Sequence, residues 1–174
     1  MLRPPRRIAV AGTSGVGKTT LAARIAARLD VPHTEIDALH HGPGWVPREQ
    51  FLDDVCALIA QDAWVMEWQY TEARPLIAER AELLVWLDLP VPQQMARLVR
   101  RTLARRWHRK ELWNGNTEPP LRTFLTGRDH VIRWGWRTRH RLREQVPAAL
   151  AAHPQLRLVH LGSQRAVERW LAEL

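Results

Sequence analysis

The stretch Gly12-Thr13-Ser14-Gly15-Val16-Gly17-Lys18-Thr19 decides how the rest of the chain is interpreted. It has a glycine, four further residues, a second glycine, a lysine and a threonine, which is the pattern of a phosphate-binding loop. The apolar run Ile8-Ala9-Val10-Ala11 precedes it, and an apolar residue recurs every fourth position after it, at Leu21, Ile25 and Leu29. The stretch is therefore predicted to join a buried strand to a helix, which is the context that a phosphate loop requires.

The residue types of this loop suit the binding of phosphate. Its glycines let backbone N–H groups converge on phosphate oxygens, and the N-terminus of the following helix adds a positive dipole. Lys18 is long enough to reach the β- and γ-phosphates, and the Thr19 hydroxyl can ligate Mg²⁺. We therefore predict a nucleotide site with Mg²⁺ as its metal.

Short apolar runs and helical patterns alternate along the chain. The predicted strands cover residues 8–11, 33–36, 63–66, 83–87 and 156–161, and the predicted helices cover 19–29, 48–61, 92–109, an arginine- and tryptophan-rich stretch up to 150, and 166–174. Parallel strands need helical crossovers, so this alternation predicts a three-layer α/β domain with a five-stranded parallel sheet. In the kinase-like branch of the phosphate-loop (P-loop) NTPase folds the strand order is 2-3-1-4-5. We expect a single domain over residues 1–174, with residues 97–143 as a lid-like helical insert.

Acidic residues follow three of the predicted strands. A phosphate loop needs a carboxylate at the end of a neighbouring strand to hold Mg²⁺, and Glu67 and Asp88 both qualify because strands three and four flank strand one. The alternative for Asp88 is that it caps its strand before Pro90. Asp37 follows strand two at the same sheet edge, where it can accept a proton from an acceptor hydroxyl or order metal-bound water. The alternative for Asp37 is a turn residue that caps the following loop.

The net charge of +8 is concentrated in one part of the chain. Residues 97–143 hold thirteen arginines and Lys110 against three acidic residues, which gives +11, whereas the remainder carries −3. Such a block favours a localised anion site, for example a lid over phosphates, above the coating of a polyanion. Arginines recur every fourth residue in two series, each of which would form one stripe of a helix. These series are Arg97, Arg101, Arg105 and Arg109, and Arg133, Arg137 and Arg141.

Nine tryptophans are a high number for 174 residues. Three of them fall in core-like runs and are expected in the core: Trp64, Trp86 and Trp170. Four others alternate with arginines: Trp107, Trp113, Trp134 and Trp136. For these four we favour packing within a small helical lid over stacking on nucleic-acid bases.

Cysteine, histidine and hydropathy patterns exclude several classes of protein. Cys56 is the only cysteine, which excludes an intramolecular disulfide and a cysteine-rich zinc site, and its apolar neighbours predict a buried thiol. His40 and His41 lack partners with the spacing of a metal site. No apolar run approaches the ~20 residues of a membrane span, and residues 1–7 lead into the first strand without a signal-peptide core. We expect a cytoplasmic protein with no membrane partner.

Several segments together resemble a known family. They are the phosphate loop, His33-Thr34-Glu35-Ile36-Asp37-Ala38-Leu39-His40, Gly42-Pro43-Gly44-Trp45, Val85-Trp86-Leu87-Asp88-Leu89-Pro90 and Glu111-Leu112-Trp113-Asn114-Gly115-Asn116. In combination they look like the bacterial adenylate-kinase-related proteins often labelled topology modulation proteins. The likeness covers almost the whole chain. Its last segment is specific to that group, whereas the phosphate loop is shared by hundreds of families.

The resemblance implies the fold of the nucleoside monophosphate kinases. It implies that Arg97 and Arg101 belong to a lid over the phosphates, and it favours Glu67 as the acid associated with the metal. The family usually has Asp-Gly-Asn-Tyr after strand three, where this chain has Glu67-Trp68-Gln69-Tyr70, so the charge is kept but a tryptophan replaces a glycine. By the same resemblance the residues that bind ATP are Gly12, Thr13, Ser14, Gly15, Val16, Gly17, Lys18, Thr19 and Thr20.

Three function hypotheses follow. The first is an Mg-ATP-dependent kinase acting on a nucleotide, a nucleoside or another small hydroxylated molecule. In it Lys18, Arg97 and Arg101 stabilise the transferring phosphoryl group, Thr19 and Glu67 hold Mg²⁺, and Asp37 orients or deprotonates the acceptor. The second is a nucleotide-dependent, DNA-associated regulator whose arginine- and tryptophan-rich segment binds nucleic acid. The third is an ATPase switch without an acceptor.

Overall fold

Five parallel strands form the sheet in the order β2-β3-β1-β4-β5. The computed structural model describes residues 4–107, 111–116 and 131–174. The strands are β1 (Arg7–Gly12), β2 (His33–Thr34), β3 (Trp64–Glu67), β4 (Leu83–Leu87) and β5 (Arg157–Leu161). The predicted number, direction and order of the strands are confirmed.

Helices cover both faces of this sheet. They are α1 (Lys18–Leu29), α2 (Ile36–His40), α3 (Phe51–Ile59), α4 (Ala73–Arg80), α5 (Val91–Trp107), α6 (Val131–Thr138), α7 (Leu142–Ala152) and α8 (Gln164–Glu173). Helix α4 was not predicted, because it buries only three residues, Ala73, Ile77 and Ala78, and two of these are alanines. From residue 131 onward, the arginine- and tryptophan-rich stretch forms the helices α6 and α7, so Arg141 lies outside the helix that carries Arg133 and Arg137.

Alternate residues of β1 face two separate hydrophobic cores. Ile8 and Val10 pack with apolar residues of α1 and α8, and Ala9 and Ala11 pack with residues of α3, α4 and α7. All four of these side chains are fully buried. Burial on both faces is the pattern of a central parallel strand, and it gives the three-layer architecture.

Strand β2 is shorter than predicted. It pairs with β3 only through His33 and Thr34. The next amide available for pairing, that of Ile36, donates instead to the Glu67 carboxylate at 3.0 Å, and helix α2 begins there. Asp37 therefore lies in the first turn of a short helix rather than in a loop.

Two expectations about burial are wrong. Cys56 is exposed, because α3 buries the face that carries Phe51, Val55 and Ile59 and Cys56 lies on another side. Three of the four tryptophans assigned to lid packing are also exposed: Trp107, Trp134 and Trp136 are 84%, 42% and 52% exposed. Among the described residues, no helix is long and apolar enough to cross a membrane.

Leu98 is a main contact between the segment 97–143 and the phosphate loop. Leu98 of α5 is fully buried. A Cβ placed on Gly15 would lie 2.5 Å from the Leu98 Cβ, and one placed on Gly135 of α6 would lie 2.5 Å from Leu98 Cδ2. Leu98 is thus enclosed between two glycines that larger residues could not replace without movement. Arg109, at the end of the first arginine series, lies outside the described residues, and the division into a domain and an insert stays a prediction.

We predict that Leu98→Ala lowers the free energy of unfolding by about 2–5 kcal/mol, because it removes buried methyl groups and leaves a cavity between the two glycines. Urea unfolding followed by circular dichroism measures this change. The matched control is Leu103→Ala on the same helix, where the side chain is 47% exposed and the expected loss is under about 1 kcal/mol. Equal losses for the two variants would contradict the role given to Leu98.

Candidate functional site

The phosphate loop has the backbone of an anion-binding turn. Gly15 and Gly17 have φ values of +80° and +108°, which residues with a Cβ rarely adopt. Gly17 is also the N-cap of α1, and its carbonyl accepts a hydrogen bond from the Leu21 amide at 3.0 Å. Left-handed residues before a helix N-terminus allow successive amides to converge on an anion.

Lys18 lies across this loop. Its Nζ donates to the Thr13 carbonyl at 3.5 Å, a long hydrogen bond. Burial lowers the pKa of Lys18, Asp37 and Glu67 raise it, and Arg101 and Arg74 lower it. The ammonium group is therefore the point where the loop, two carboxylates and two arginines come close together.

Glu67 is a buried carboxylate at the carboxyl end of β3, with 3% of its surface exposed. Its Oε2 accepts from the Ile36 amide, whereas Oε1 is buried and has no hydrogen-bond partner among the described residues. The Nε2 atom of His33 lies 3.9 Å from Oε1, which is too far for a hydrogen bond. Burial raises the pKa of Glu67. His33, the Ile36 amide and the neighbouring Thr19 hydroxyl together lower it by more than burial raises it, so the net shift is downward.

Asp88 has different neighbours. Its amide donates to the Leu161 carbonyl of β5 at 3.0 Å, and its Oδ2 lies 3.3 Å from His160 Nε2. Both contacts are with the outer strand of the sheet. Of the two acids that the sequence leaves open, Glu67 is the one beside Thr19 and Lys18.

Asp37 interacts with the segment that follows β3. Its Oδ1 accepts hydrogen bonds from Gln69 Nε2 at 2.8 Å and from the Tyr70 hydroxyl at 2.6 Å. Burial, followed by the charge of Asp37 and the hydrogen bond to it, raises the pKa of Tyr70 far above its usual value. These two hydrogen bonds fix the orientation of the Asp37 carboxylate.

Aromatic rings surround Tyr70. His40 stacks on it with ring centroids 3.9 Å apart, and His41 Nε2 lies 3.1 Å from its hydroxyl. Phe51 makes an edge contact with the Tyr70 ring at 5.2 Å, and Trp45 makes one with His41 at 5.0 Å. We call His40, His41, Trp45, Phe51, Tyr70 and Trp113 the aromatic cluster.

The segment Glu111–Asn116 closes over this cluster, and we call it the clasp. Trp113 Nε1 donates to Glu35 Oε2 at 2.8 Å. The Asn116 side chain accepts from the Trp45 amide at 3.0 Å and donates to the Gly42 carbonyl at 2.9 Å. Asn114 donates to the His41 carbonyl. The two family-like segments around Gly42 and Trp113 are therefore the two halves of one contact.

Backbone strain is concentrated at the same place. Four described residues other than glycine have positive φ, and three of them are Trp45 (+63°), Tyr70 (+62°) and Asn114 (+55°). Such conformations cost about 1–3 kcal/mol each and tend to occur at functional sites. The tertiary contacts of the clasp and the aromatic cluster hold them.

The two predicted lid arginines lie beside the loop. Arg97 donates to the Val16 carbonyl at 3.3 Å and to Gln164 Oε1 at 3.0 Å, which links α5, the loop and α8. Arg101, one turn further along α5, is close enough to Lys18 to lower its pKa. Contact of either arginine with phosphate stays a prediction.

Arg74 of α4 was not among the predicted site residues. Its Nη1 donates to Gln145 Oε1 at 2.7 Å, and its guanidinium carbon lies 5.2 Å from the centroid of the Trp68 ring. Burial and the nearby Arg141 lower its pKa. Trp68, which stands where the family has a glycine, is buried in the second core and supports this arginine. Nothing in the sequence pattern distinguishes Arg74, because its helix has no clear apolar face.

A cavity of about 450 Å³ lies at the opposite edge of the sheet. It is lined by residues around the Arg7–Glu82 ion pair and by Arg157, at the amino ends of β1 and β5. In parallel α/β folds ligands bind at the carboxyl ends of the strands. The residues predicted to bind nucleotide are all at that carboxyl edge, so this cavity is separate from them.

We predict that the stabilising effect of Glu67 depends on pH. Its pKa in the folded state lies below the ordinary value of 4.5, so its ionised form stabilises fully above that pH and loses this effect as the pH falls through the folded pKa. Glu67→Gln should lower the free energy of unfolding by about 1–3 kcal/mol at neutral pH, and by less at pH 4 and below, in urea titrations.

Asp88→Asn is the control, since that side chain is partly exposed and its replacement should change stability by less than about 0.5 kcal/mol at either pH. A deficit of Glu67→Gln that stays constant with pH would show that its charge contributes nothing to stability.

Comparison with known proteins gives structural but not sequence matches. No family model and no curated protein matches the chain. Among solved structures, a gluconokinase from Sinorhizobium meliloti 1021 is 20% identical and covers 99% of this chain and 94% of its own, with a TM-score of 0.55. A sugar kinase from Janibacter sp. HTCC2649 is 20% identical, covers 97% and 94%, and has a TM-score of 0.51. A shikimate kinase from Bacteroides thetaiotaomicron is 17% identical, covers 98% and 96%, and has a TM-score of 0.51.

These identities are low, so the likeness concerns the fold. The neighbours span nearly the whole chain. The likeness to the topology modulation proteins stays a prediction. The five-stranded parallel sheet in the order 2-3-1-4-5, with helices on both faces, has the fold of the P-loop kinases.

Proposed function

We propose that this protein is an Mg-ATP-dependent kinase that phosphorylates a hydroxyl group of a small molecule. The observation that carries the proposal is that Lys18 of the phosphate loop lies within electrostatic reach of Asp37 and Glu67, at the carboxyl edge of the sheet. A phosphate loop supplies the donor side, and a hydrogen-bonded carboxylate supplies the acceptor side. The fold shared with a gluconokinase and a sugar kinase supports the same reaction class.

The donor side would hold ATP through Gly12–Thr20, with Lys18 and the arginines Arg97 and Arg101 near its phosphates. The residues also fit Mg²⁺, because Glu67 Oε1 is a buried carboxylate oxygen without a hydrogen-bond partner among the described residues and the Thr19 hydroxyl is beside it. Mg²⁺ in such sites keeps several waters, binds one or two protein oxygens and neutralises phosphate charge. Thr19 and Glu67 are the residues that would hold it.

Arg74, which is near Lys18, and Arg141, which is near Arg74, favour an anionic substrate on the acceptor side. Arg74 and Arg101 both act on Lys18, and Arg141 acts on Arg74. The Nε atom of Arg74 is buried and has no hydrogen-bond partner within the described ranges. A hydroxylated acceptor with a carboxylate or a phosphate would supply that partner. This class includes nucleotides, which the resemblance to adenylate-kinase-related proteins also suggests.

The test is release of ADP from ATP and Mg²⁺ in a coupled assay, over hydroxy acids, sugar acids, nucleotides, nucleosides and neutral polyols. We expect an acceptor from the anionic classes to raise ADP release above the hydrolysis background. Asp37→Asn should abolish the acceptor-dependent part and leave ATP binding intact, and Lys18→Met should abolish both, since the ammonium stabilises the phosphates.

Thermal shift with ATP separates loss of binding from loss of chemistry. Arg165→Gln is a suitable control, because this arginine on α8 has no role in the proposal and its replacement should leave both measurements unchanged. ATP binding without any stimulating acceptor would contradict the kinase and leave the ATPase switch.

Binding of single-stranded nucleic acid is a second candidate function. The observation that favours it is the exposure of Trp107, Trp134 and Trp136, which packing within a lid would have buried. Arg139 lies 4.0 Å from the Trp136 ring and Arg141 5.4 Å from the Trp134 ring. Exposed aromatic rings next to arginine can stack on bases while the charge contacts phosphate.

This candidate predicts binding of a fluorescent oligonucleotide that weakens steeply between about 50 and 200 mM salt. The double variant Trp134→Ala/Trp136→Ala should lose at least about tenfold in affinity, because each stacked base contributes roughly 1–3 kcal/mol. Leu158→Ala, an exposed apolar residue on β5, is the control. Binding that is absent at low salt, or unchanged in the double variant, would exclude stacking on these tryptophans.

A further inference from the structure

We propose that His40, His41 and Tyr70 form a directional chain of hydrogen bonds that ends on Oδ1 of Asp37 and orients this carboxylate toward the acceptor. Its part in phosphoryl transfer rests on the kinase proposed above. The direction of the chain does not, and it can be tested on the protein without any acceptor.

Three contacts in series make up the chain. His40 Nδ1 lies 3.3 Å from His41 Nδ1, His41 Nε2 lies 3.1 Å from the Tyr70 hydroxyl, and the Tyr70 hydroxyl lies 2.6 Å from Asp37 Oδ1. The last of these is as short as hydrogen bonds from a hydroxyl to a carboxylate usually are. The chain therefore runs from His40, which packs against Phe51 and Tyr70, to the Asp37 carboxylate.

The hydrogen positions follow from the number of protons that each group holds. A carboxylate only accepts hydrogen bonds, so the single proton of the Tyr70 hydroxyl must point to Asp37 and form the hydrogen bond with it. The Tyr70 oxygen can then only accept from His41, which requires a proton on His41 Nε2. In a neutral His41 ring Nδ1 is then an acceptor, so His40 must carry its proton on Nδ1. Every donor in the chain thus points toward Asp37.

Neutral rings agree with the surroundings of both histidines. Burial lowers the pKa of His41, and burial together with His41 lowers the pKa of His40. The rings cannot easily turn, because His40 is stacked on Tyr70 and His41 is enclosed between Trp45 and Trp113.

The other carboxylate oxygen of Asp37, Oδ2, takes no part in the chain. Gln69 donates to the same Oδ1 atom, so two donors hold one oxygen and fix the rotation of the carboxylate. We assign Oδ2 to the acceptor hydroxyl. Tyr70 and His41 are then positioning residues, which act through Asp37 and do not touch the reacting atoms.

The first test is nuclear magnetic resonance of protein labelled with ¹⁵N-histidine. The signals are assigned with variants in which one histidine at a time is replaced. We expect the proton of His41 on Nε2 and that of His40 on Nδ1. Tyr70→Phe keeps the ring stack but removes the hydroxyl, and it should shift the Nε2 signal of His41. A proton on His41 Nδ1 in the unmodified protein, or unchanged His41 signals in Tyr70→Phe, would overturn the proposal.

A second label reports on Tyr70, at the Asp37 end of the hydrogen-bond chain. Tyr70 is the only tyrosine, so tyrosine labelled with ¹³C at Cζ gives a single signal. His41→Leu should shift that signal, and His41→Gln, whose amide places an N–H near the position of Nε2, should restore most of it. Equal shifts in His41→Leu and His41→Gln would show a packing effect only and would contradict the proposal.

Kinetics with an acceptor found in the coupled assay test the positioning role. Tyr70→Phe should lower kcat about tenfold and change the acceptor KM by less than about twofold, because the orientation of Asp37 is lost while binding groups stay. A raised KM with unchanged kcat would contradict positioning. If no acceptor is found, the kinase proposal fails, and the two label experiments still decide the chain.

Discussion

The hydrogen bond from the Ile36 amide to the Glu67 carboxylate determines where the two halves of the candidate site meet. It connects β3, which lies beside the central strand β1, with the point where β2 ends. Because the amide is bound to a side chain, it cannot continue the sheet, and α2 begins in its place. Asp37 thereby comes within electrostatic reach of Lys18, and the same buried carboxylate keeps Oε1 beside Thr19.

A second constraint acts from the far side of the site. The clasp binds the turn around Gly42 through the Asn116 side chain and reaches Glu35 through Trp113. These contacts cross more than seventy positions of sequence, and they hold Trp45 and Asn114 in backbone conformations that are costly in isolation. A segment from the arginine-rich part of the chain thus shapes the region that follows β2.

The distribution of charge has a physical explanation in this arrangement. Two carboxylates, Asp37 and Glu67, and two arginines, Arg74 and Arg101, lie within electrostatic reach of Lys18. With three positive and two negative groups, this set favours an anion, and the turn before α1 has the backbone of an anion-binding loop. Arg141 lies near Arg74 and also 5.4 Å from the ring of the exposed Trp134, so the arginine-rich segment borders the candidate site.

The sequence by itself determined the number of strands and the phosphate-loop pattern, because these depend on local features: apolar runs bounded by turn residues, glycines at fixed offsets, and an acid after three of the strands. The strand order followed from the fold class that the loop pattern indicates. The sequence also led to Glu67, Asp37, Arg97 and Arg101, all of which lie near the loop or near Lys18 in the structure. It misjudged Cys56 and three tryptophans, because neither apolar neighbours nor alternation with arginines says which face of a helix is covered. Only the tertiary structure brought Tyr70, His41 and Arg74 to the site. Their positions depend on contacts between segments that are distant in sequence. Tyr70 has a positive φ and donates to the Asp37 carboxylate, and the packing that stabilises this conformation cannot be predicted from a local sequence pattern.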